Sequence, residues 1–470
     1  MAVIKASFLK SLPPLWPEDI LPQIAAKLRA SATKIVVLDD DPTGTQTVHD
    51  VPVYMDYSKD TLLAAFKDGG HVFYILTNSR SLPADEAVAL AHELGSNLKL
   101  VSQTTGLPFV VISRSDSTLR GHYPEEVDAL AGALEESFDA TLIIPAFIEG
   151  KRFTVGDVHY VQEDDKLVPA GETEFAKDAA FGYQASNLRA WVEEKTKENV
   201  AASRVRSITI EDVRLHGVEH VANKLRALNG GAVCIVNAAD YRDLEVLTLA
   251  LLTAEEDGKR FLYRTAASMV AVRAGVARRE LLLPTDFNLS AKTGGLIMVG
   301  SYVSTTTRQL ERLLQESDVT GVELKVAGLL DDTLREAEIA SAAKAATGLI
   351  RAGKNAVVYT SRNLIKTAHA DDNLKLGRRV SRGLIETLQQ IAVRPRYLLA
   401  KGGITSSDLA TKGLGVKRAV VLGQLLPGVP VWRLGQESRW PQLIYVVFPG
   451  NVGDSAALRA GLRKLQPEPS

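Results

Sequence analysis

Short, almost wholly apolar runs recur along the chain at Lys34–Leu38, His71–Leu76, Phe109–Ser113, Thr141–Pro145, Ala232–Asn237, Gly295–Val299, Ala356–Thr360, Tyr397–Ala400 and Leu443–Phe448. Most are rich in β-branched residues, and none alternates regularly with polar ones, the pattern of a strand covered on both faces. Between most of them lie segments of helical period: Asp85–Leu98 behind Pro83, Pro124–Ser137, Thr305–Gln315 and Leu330–Ala352. Strands alternating with helices predict right-handed βαβ units, so the fold class is α/β with mostly parallel sheets flanked by helices. The stretch Gly150–Ala190 has little helical period and is expected to be an insertion or loop-rich region near the working edge of the first domain. No internal repeat and no low-complexity tract interrupts this order.

A chain of 470 residues exceeds the size at which one core usually stops growing, so two domains are expected. The weakest joint lies between Arg279 and Gly295, where Leu281-Leu282-Leu283 gives way to Pro284-Thr285-Asp286-Phe287-Asn288 and then Lys292-Thr293-Gly294-Gly295. This places the domains at 1–285 and 292–470, with the active site expected in the cleft between them.

Composition narrows the function classes. At 46% hydrophobic and 24% charged, with a net charge of -1, the chain has no electrostatic footprint for nucleic acid or anionic lipid. No apolar stretch approaches the ~20 residues that cross a bilayer. Cys234 is the one cysteine and sits in a strand-like run, so an intramolecular disulfide is excluded, as suits a reducing compartment. The segment Met1–Trp16 lacks a signal-peptide pattern, and a cytoplasmic location is expected.

Chemistry collects where the strands end. The first runs into Asp39-Asp40-Asp41-Pro42-Thr43-Gly44, three carboxylates at the edge where open α/β sheets bind ligands. Adjacent carboxylates repel, so they call for a cation, for donating hydroxyls or for a raised pKa. The next strand ends in Thr77-Asn78-Ser79-Arg80-Ser81, the third in Arg114-Ser115-Asp116-Ser117-Thr118-Leu119-Arg120-Gly121-His122, and the fourth in Glu149-Gly150-Lys151-Arg152. Guanidinium forks match carboxylates, which makes Arg80, Arg114 and Arg120 candidates to grip an acidic substrate. In the second half, Gly300-Ser301-Tyr302-Val303-Ser304, Lys401-Gly402-Gly403-Ile404-Thr405 and Gly450-Asn451-Val452-Gly453 each follow a strand, an arrangement able to cradle a polyphosphate. Neither a P-loop nor a dinucleotide fingerprint occurs. The spacing His216-Gly217-Val218-Glu219-His220 is that of some zinc sites, but a glycine interrupts it and no third ligand is evident, so it reads as a solvated helix face. His122 and His159 read as structural histidines.

In this order the motifs resemble the four-carbon acid sugar kinase family, over the whole chain. Asp40-Asp41-Pro42-Thr43-Gly44 is similar to the family's D-D-x-T-G, and Arg114 to Gly121 to its K-x-D-S-T-x-R-G. Gly156–Tyr160 through Glu172–Asp178 resembles the linker into a T-x-F-x-x-D element, and the three C-terminal loops resemble G-S-x-S, G-G-x-T and G-N-x-G. Arg114 stands where the family often has lysine, and Pro42 where many members have phenylalanine. The resemblance implies a sugar-acid-binding N-terminal domain, with Thr43, Gly44, Arg80, Arg114, Asp116, Ser117, Thr118, Arg120 and Gly121 at the substrate. It likewise implies a nucleotide-binding C-terminal domain, with Ser301, Ser304, Gly402, Gly403, Ile404, Thr405, Gly450, Asn451 and Gly453 at ATP.

The expected activity is ATP-dependent phosphorylation of threonate, erythronate or an oxo-tetronate. Asp40 or Asp41 would orient or deprotonate the hydroxyl, magnesium would arrive with ATP, and the protein alone would hold no metal. Partners are expected to be these small molecules, possible second copies of the chain aside. A rival reading is a haloacid-dehalogenase-like phosphatase, since Asp39 to Thr43 also spells D-x-D-x-T. A catalytically silent sugar-acid binder is a third.

Overall fold

The computed structural model describes residues 3–287, 289, 292–362, 370–450 and 452–466. It contains two compact units, one of Met1–Thr47 with Asp56–Arg278 and one of Val48–Met55 with Arg279–Ser470. Of the first strands in chain order, β1 (Lys34–Asp39) belongs to the first unit and β2 (Val51–Tyr54) to the second.

The first unit continues through β3 (Val72–Leu76), β4 (Phe109–Arg114), β5 (Ala140–Ile144), β6 (Arg152–Val155), β7 (Val158–Glu163), β8 (Lys166–Pro169), β9 (Arg206–Ile208), β10 (Ala232–Val236) and β11 (Phe261–Thr265). Its main sheet runs β9-β10-β5-β11-β4-β1-β3, parallel throughout. Register aligns the strand ends: Asp39 pairs with Leu76 and Arg114, and Arg114 with Thr265. The polar strand ends legible in the sequence therefore lie at one edge. Helices are bounded by local chemistry. Ala84–Thr105 starts behind Pro83 with Asp85 and Glu86 in its first turn, where the helix dipole favours anions, and stops at Gly106, whose φ of 67° suits only a left-handed cap. Tyr241–Glu256 opens on a capping box between Asp240 and Asp243, and Asp243 also accepts from Nε and Nη2 of Arg214 at 2.7 and 2.8 Å.

Gly150–Ala190 departs from expectation. Instead of loops it contains the antiparallel sheet β6-β7-β8, extended by Ile4–Lys5 against β8. The strands are short and joined by tight turns at Asp157 and Asp164, both with positive φ, so neither helical period nor long apolar runs announce them.

The second unit holds β12 (Leu296–Val299), β13 (Val319–Leu324), β14 (Asn355–Thr360), β15 (Tyr397–Lys401), β16 (Arg418–Leu426), β17 (Val429–Leu434) and β18 (Ile444–Phe448). Its strands are ordered β2-β16-β17-β18-β15-β12-β14-β13. Those from β18 onward are parallel, while β2, β16 and β17 pair antiparallel at the other end. The helix expected over Leu330–Ala352 is broken into Val326–Leu330 and Arg335–Arg351. The side chain of Asp331 accepts from the backbone N–H and hydroxyl of Thr333 at 2.8 and 2.6 Å, a local turn that competes with helix. Among the described residues no helix is long and apolar enough to cross a membrane.

Leu399 on β15 is wholly buried in the second unit's core beside Ile297, Val357 and Val446. Leu399→Ala should lower the unfolding free energy by about 2 to 5 kcal/mol, measurable as a reduced urea midpoint with unchanged slope.

Candidate active site

The end of β1 places three carboxylates in three different environments. Asp39 is fully buried and Asp40 nearly so, and both receive Nη1 of the buried Arg114, at 2.7 and 3.2 Å. Asp40 also accepts from the Ser115 hydroxyl at 3.1 Å. Asp41 turns toward Arg80, with which it forms an ion pair, and accepts from the backbone N–H of Thr43 at 2.8 Å. Gly44 closes the turn directly over this layer: a Cβ there would lie 2.2 Å from an Asp39 oxygen and 2.5 Å from Cζ of Arg114. No larger residue fits without displacing the pair.

The loop after β4 continues the network. Asp116 binds Nε of Arg120 at 2.8 Å and Nη1 of Arg80 at 3.3 Å, and Thr118 donates to it. Arg120 reaches Asp178 at 3.5 Å, which brings the T-x-F-x-x-D segment to this edge. Gly121, at φ 122°, leaves room for Ser115 and Arg264. Ser117 lies buried in the same loop. The sequence-predicted substrate residues Thr43, Gly44, Arg80, Arg114, Asp116, Ser117, Thr118, Arg120 and Gly121 thus share one edge with Asp40 and Asp41.

Charges here differ sharply in their settings. Burial pushes the Asp39 carboxyl up to about 7 against the pull of Arg114, with Asp40 and Asp41 adding to the push. Burial also works against ionisation of Asp41, but Arg80, Thr43 and Arg114 outweigh it and hold its carboxyl below the usual range. Asp116 is held far below that range by Arg120 and Arg80, despite burial. Glu126, which accepts from the Ser79 hydroxyl at 2.7 Å, is raised to about 7 by burial. Sequence reasoning missed Glu126 and Arg264, because each lies within a regular element and joins the edge only through the sheet.

The small antiparallel sheet pins this loop. His159 on β7 is wholly buried; one ring nitrogen bonds the Thr154 hydroxyl at 2.9 Å and the other donates to the Ser117 carbonyl at 2.7 Å. Tyr183 donates to the Thr118 carbonyl at 2.7 Å. His122 bonds the carbonyls of Ser79 and Leu82 at 3.2 and 3.1 Å, so both histidines hold backbone. In the H-x-x-E-H segment, His220 pairs with Asp212 at 2.8 Å and Glu219 with Arg226, and no metal-holding cluster of acids, histidines and cysteines occurs among the described residues.

In the second unit the three predicted loops converge. The backbone N–H groups of Gly300 and Ser301 both donate to the Lys401 carbonyl at 3.3 Å, and that of Gly402 to Phe448 at 2.8 Å. A Cβ on Gly300 would lie 2.3 Å from the Thr405 hydroxyl, one on Gly450 2.9 Å from the Ser301 hydroxyl, and Gly402 has a φ of 121°. Thr306 ties the loops by donating to the Gly450 carbonyl at 2.8 Å, and Gln309 bonds the carbonyls of Val452, Gly453 and Asp454. Ser304 and Gly403 open the helices Ser304–Leu313 and Gly403–Asp408. Ile404 is exposed. Asn451 lies outside the described residues.

Lys401 immediately precedes Gly402 and Gly403 in the sequence. Its side chain is wholly buried beneath the loops, donates to the carbonyls of Pro449 and Gly450 at 2.5 and 3.2 Å and lies 4.2 Å from the Phe448 ring centre. Burial with no carboxylate beside it pushes its pKa down to about 7.

The phosphatase reading requires Asp39 as an accessible nucleophile. It is instead fully buried against Arg114 under Gly44.

His159 yields a pH prediction. Burial lowers its pKa from 6.5 to about 4, so the folded state favours neutral imidazole. This stabilisation is fully present above about pH 6.5 and is lost as pH falls toward 4, worth about 3 kcal/mol at most. Urea melts of wild type should lose stability across that window, and His159→Gln should show a shallower loss.

A family model described as the sugar-binding N-terminal domain matches residues 35–273, and one described as the nucleotide-binding C-terminal domain matches 296–458. A D-erythronate kinase from Heliobacterium modesticaldum is 24% identical over 318 residues, 65% of this chain and 66% of that protein. The matched chain thus spans just under two thirds of that relative's length. Among solved structures, a Salmonella typhimurium LT2 protein provisionally named a tRNA synthase superposes with a TM-score of 0.66 at 18% identity, covering 93% of this chain and 100% of that one. The Haemophilus influenzae protein HI1011, of the DUF1537 family, gives 0.61 at 18% identity, covering 92% and 100%. These structures share the fold. With a sugar-binding domain matched on the unit that carries the acid and arginine edge, and a nucleotide-binding domain on the unit that carries the three glycine loops, the chain belongs to the four-carbon acid sugar kinase family.

Proposed function

We propose that the protein is an ATP-dependent kinase that phosphorylates a hydroxyl of a four-carbon sugar acid: threonate, erythronate or an oxo-tetronate. The observation that carries the reading is that one chain carries two polar strand-end clusters of different chemistry. Carboxylates ordered by arginines lie at the strand ends of one unit, and a cradle of three glycine loops at those of the other. The family domains and the erythronate kinase relative support it.

Phosphoryl transfer asks mainly for positioning and for neutralisation of developing charge. The loops bearing Ser301, Gly402, Thr405 and Gly450 bring small side chains and backbone together, as close approach of a phosphate chain requires. Gly403, Ile404, Ser304, Asn451 and Gly453 belong to the same proposed ATP site. Magnesium, arriving with ATP, would supply charge neutralisation at the phosphates.

At the acceptor side, Asp40 and Asp41 are the candidates to take the hydroxyl proton as oxygen attacks the terminal phosphorus and ADP leaves. Asp41, held ionised by Arg80, is a ready hydrogen-bond acceptor at neutral pH. Asp40 is fixed by Arg114 and Ser115, so either carboxylate would act without rearrangement. Gly44 and Thr43 hold the turn that presents them.

ADP release with Mg-ATP, measured on D- and L-threonate, D- and L-erythronate and the 2-oxo and 3-oxo tetronates, should reveal turnover on one. Silence on all of them, with phosphate released from sugar phosphates in parallel, would overturn the kinase reading. Asp40→Asn and Asp41→Asn should lower kcat by about 10² to 10⁴ for whichever residue takes the proton, while ATP affinity in equilibrium titration stays unchanged. Wild-type turnover in both variants would remove the carboxylates from the chemistry.

A further inference from the structure

The arginines at the sugar-binding edge are not equivalent. Arg114 is spent on Asp39 and Asp40, Arg80 on Asp41 and Asp116, and Arg120 on Asp116 and Asp178. Each of these cations has at least two carboxylates, so its charge is answered within the protein. Among the described residues at this edge, Arg264 and Arg152 have no ion pair. Arg264 is buried, with its guanidinium near the rings of Tyr123 and Trp191 and a 3.5 Å contact to the Arg120 carbonyl. It sits behind Gly121 as a support.

Arg152, the first residue of β6, is placed differently. It is only partly buried, and among the described residues its one side-chain hydrogen bond runs from Nη1 to the Gly150 carbonyl at 2.8 Å. Its Nε is shielded from solvent and has no partner. Its Cζ lies 5.7 Å from the Phe147 ring centre and 5.8 Å from that of Phe175, and Arg120 approaches the same Phe175 ring at 5.2 Å. Glu149, three residues earlier in the chain, accepts from the Tyr241 and Ser268 hydroxyls and forms no ion pair with Arg152 among the described residues. Burial lowers the Arg152 pKa, Asp116 opposes the shift and Arg120 adds to it, which places Arg152 in the field of the substrate loop. Two guanidinium groups therefore flank one aromatic ring, and only Arg120 has carboxylates.

We infer that Arg152 receives the carboxylate of the sugar acid and is the residue that makes the enzyme select an acid over a neutral polyol. The inference rests on the kinase reading above. A carboxylate there would pair with the unspent charge and satisfy donors the protein leaves open, while Phe147 and Phe175 keep the guanidinium plane in place. A ligand that lacks the carboxylate would leave the cation as it already stands, and would gain nothing from it.

The test compares wild type, Arg152→Gln and Arg152→Lys on the preferred four-carbon acid and on its uncharged tetritol. Arg152→Gln should raise KM for the acid about 100-fold, leave KM for ATP unchanged, and leave the weak kcat/KM on the tetritol within about threefold. Arg152→Lys, which keeps the charge but loses the fork, should raise KM for the acid about tenfold and serves should the glutamine variant fold poorly. Equal losses on acid and tetritol, or an unchanged KM for the acid, would overturn the role of Arg152 while the kinase reading stood. Absence of turnover in wild type would instead remove the kinase reading. Direct calorimetric titration of erythronate and threonate would then decide the arginine alone: binding weakened in Arg152→Gln supports it, and binding unchanged or absent in wild type overturns it.

Discussion

At the sugar-binding edge, the geometry depends on one buried guanidinium. Arg114 enters between Asp39 and Asp40 because β4 lies beside β1 with the two residues in register, and the parallel sheet allows no slip of one position without turning those side chains to opposite faces. Burial would make two adjacent carboxylates very costly by themselves. With the guanidinium between them, Asp40 stays ordered for a ligand, while Asp39 becomes a deep anchor whose proton is held up to about 7. Gly44 follows from the same contact, since the pair occupies the space of any Cβ.

The second unit buries a cation without a carboxylate beside it. Lys401 ends β15, and its ammonium lies beneath the glycine loops, bonded to two carbonyls and set near the Phe448 ring. Carbonyl dipoles and a ring face answer a charge less fully than carboxylates do, which is why burial lowers this lysine while Arg80 and Arg114, each beside carboxylates at the other edge, are held above their usual range. The two edges thus differ in what they lack: one has its cations largely answered and the other leaves positive potential under loops of suitable shape for phosphate.

The small antiparallel sheet changes how the sugar-binding edge is understood. Its histidine and the nearby Tyr183 hold the Ser117 and Thr118 carbonyls, and its first residue is Arg152. A segment expected as an insertion or loop-rich region near the working edge supplies both the brace of the substrate loop and, among the described residues there, a partly exposed guanidinium without a carboxylate. Sequence offered little sign of it, because strands of a few residues joined by tight turns carry neither helical period nor long apolar runs.

The sequence by itself determined the α/β class, the parallel strands and the polar residues that follow them, because apolar periodicity and the chemistry of strand ends are local properties written in consecutive residues. It also carried the family motifs, so the acids, arginines and glycine loops were legible as a set. Only the tertiary structure decided which carboxylate faces which arginine, that Asp39 is an anchor, that Lys401 is buried, that Glu126 and Arg264 join the edge, and that Arg152 lies against Phe147 and Phe175. Those facts follow from lateral register and burial, which bring together residues tens to hundreds of positions apart and set how much each charge is answered, and no window of sequence contains either quantity.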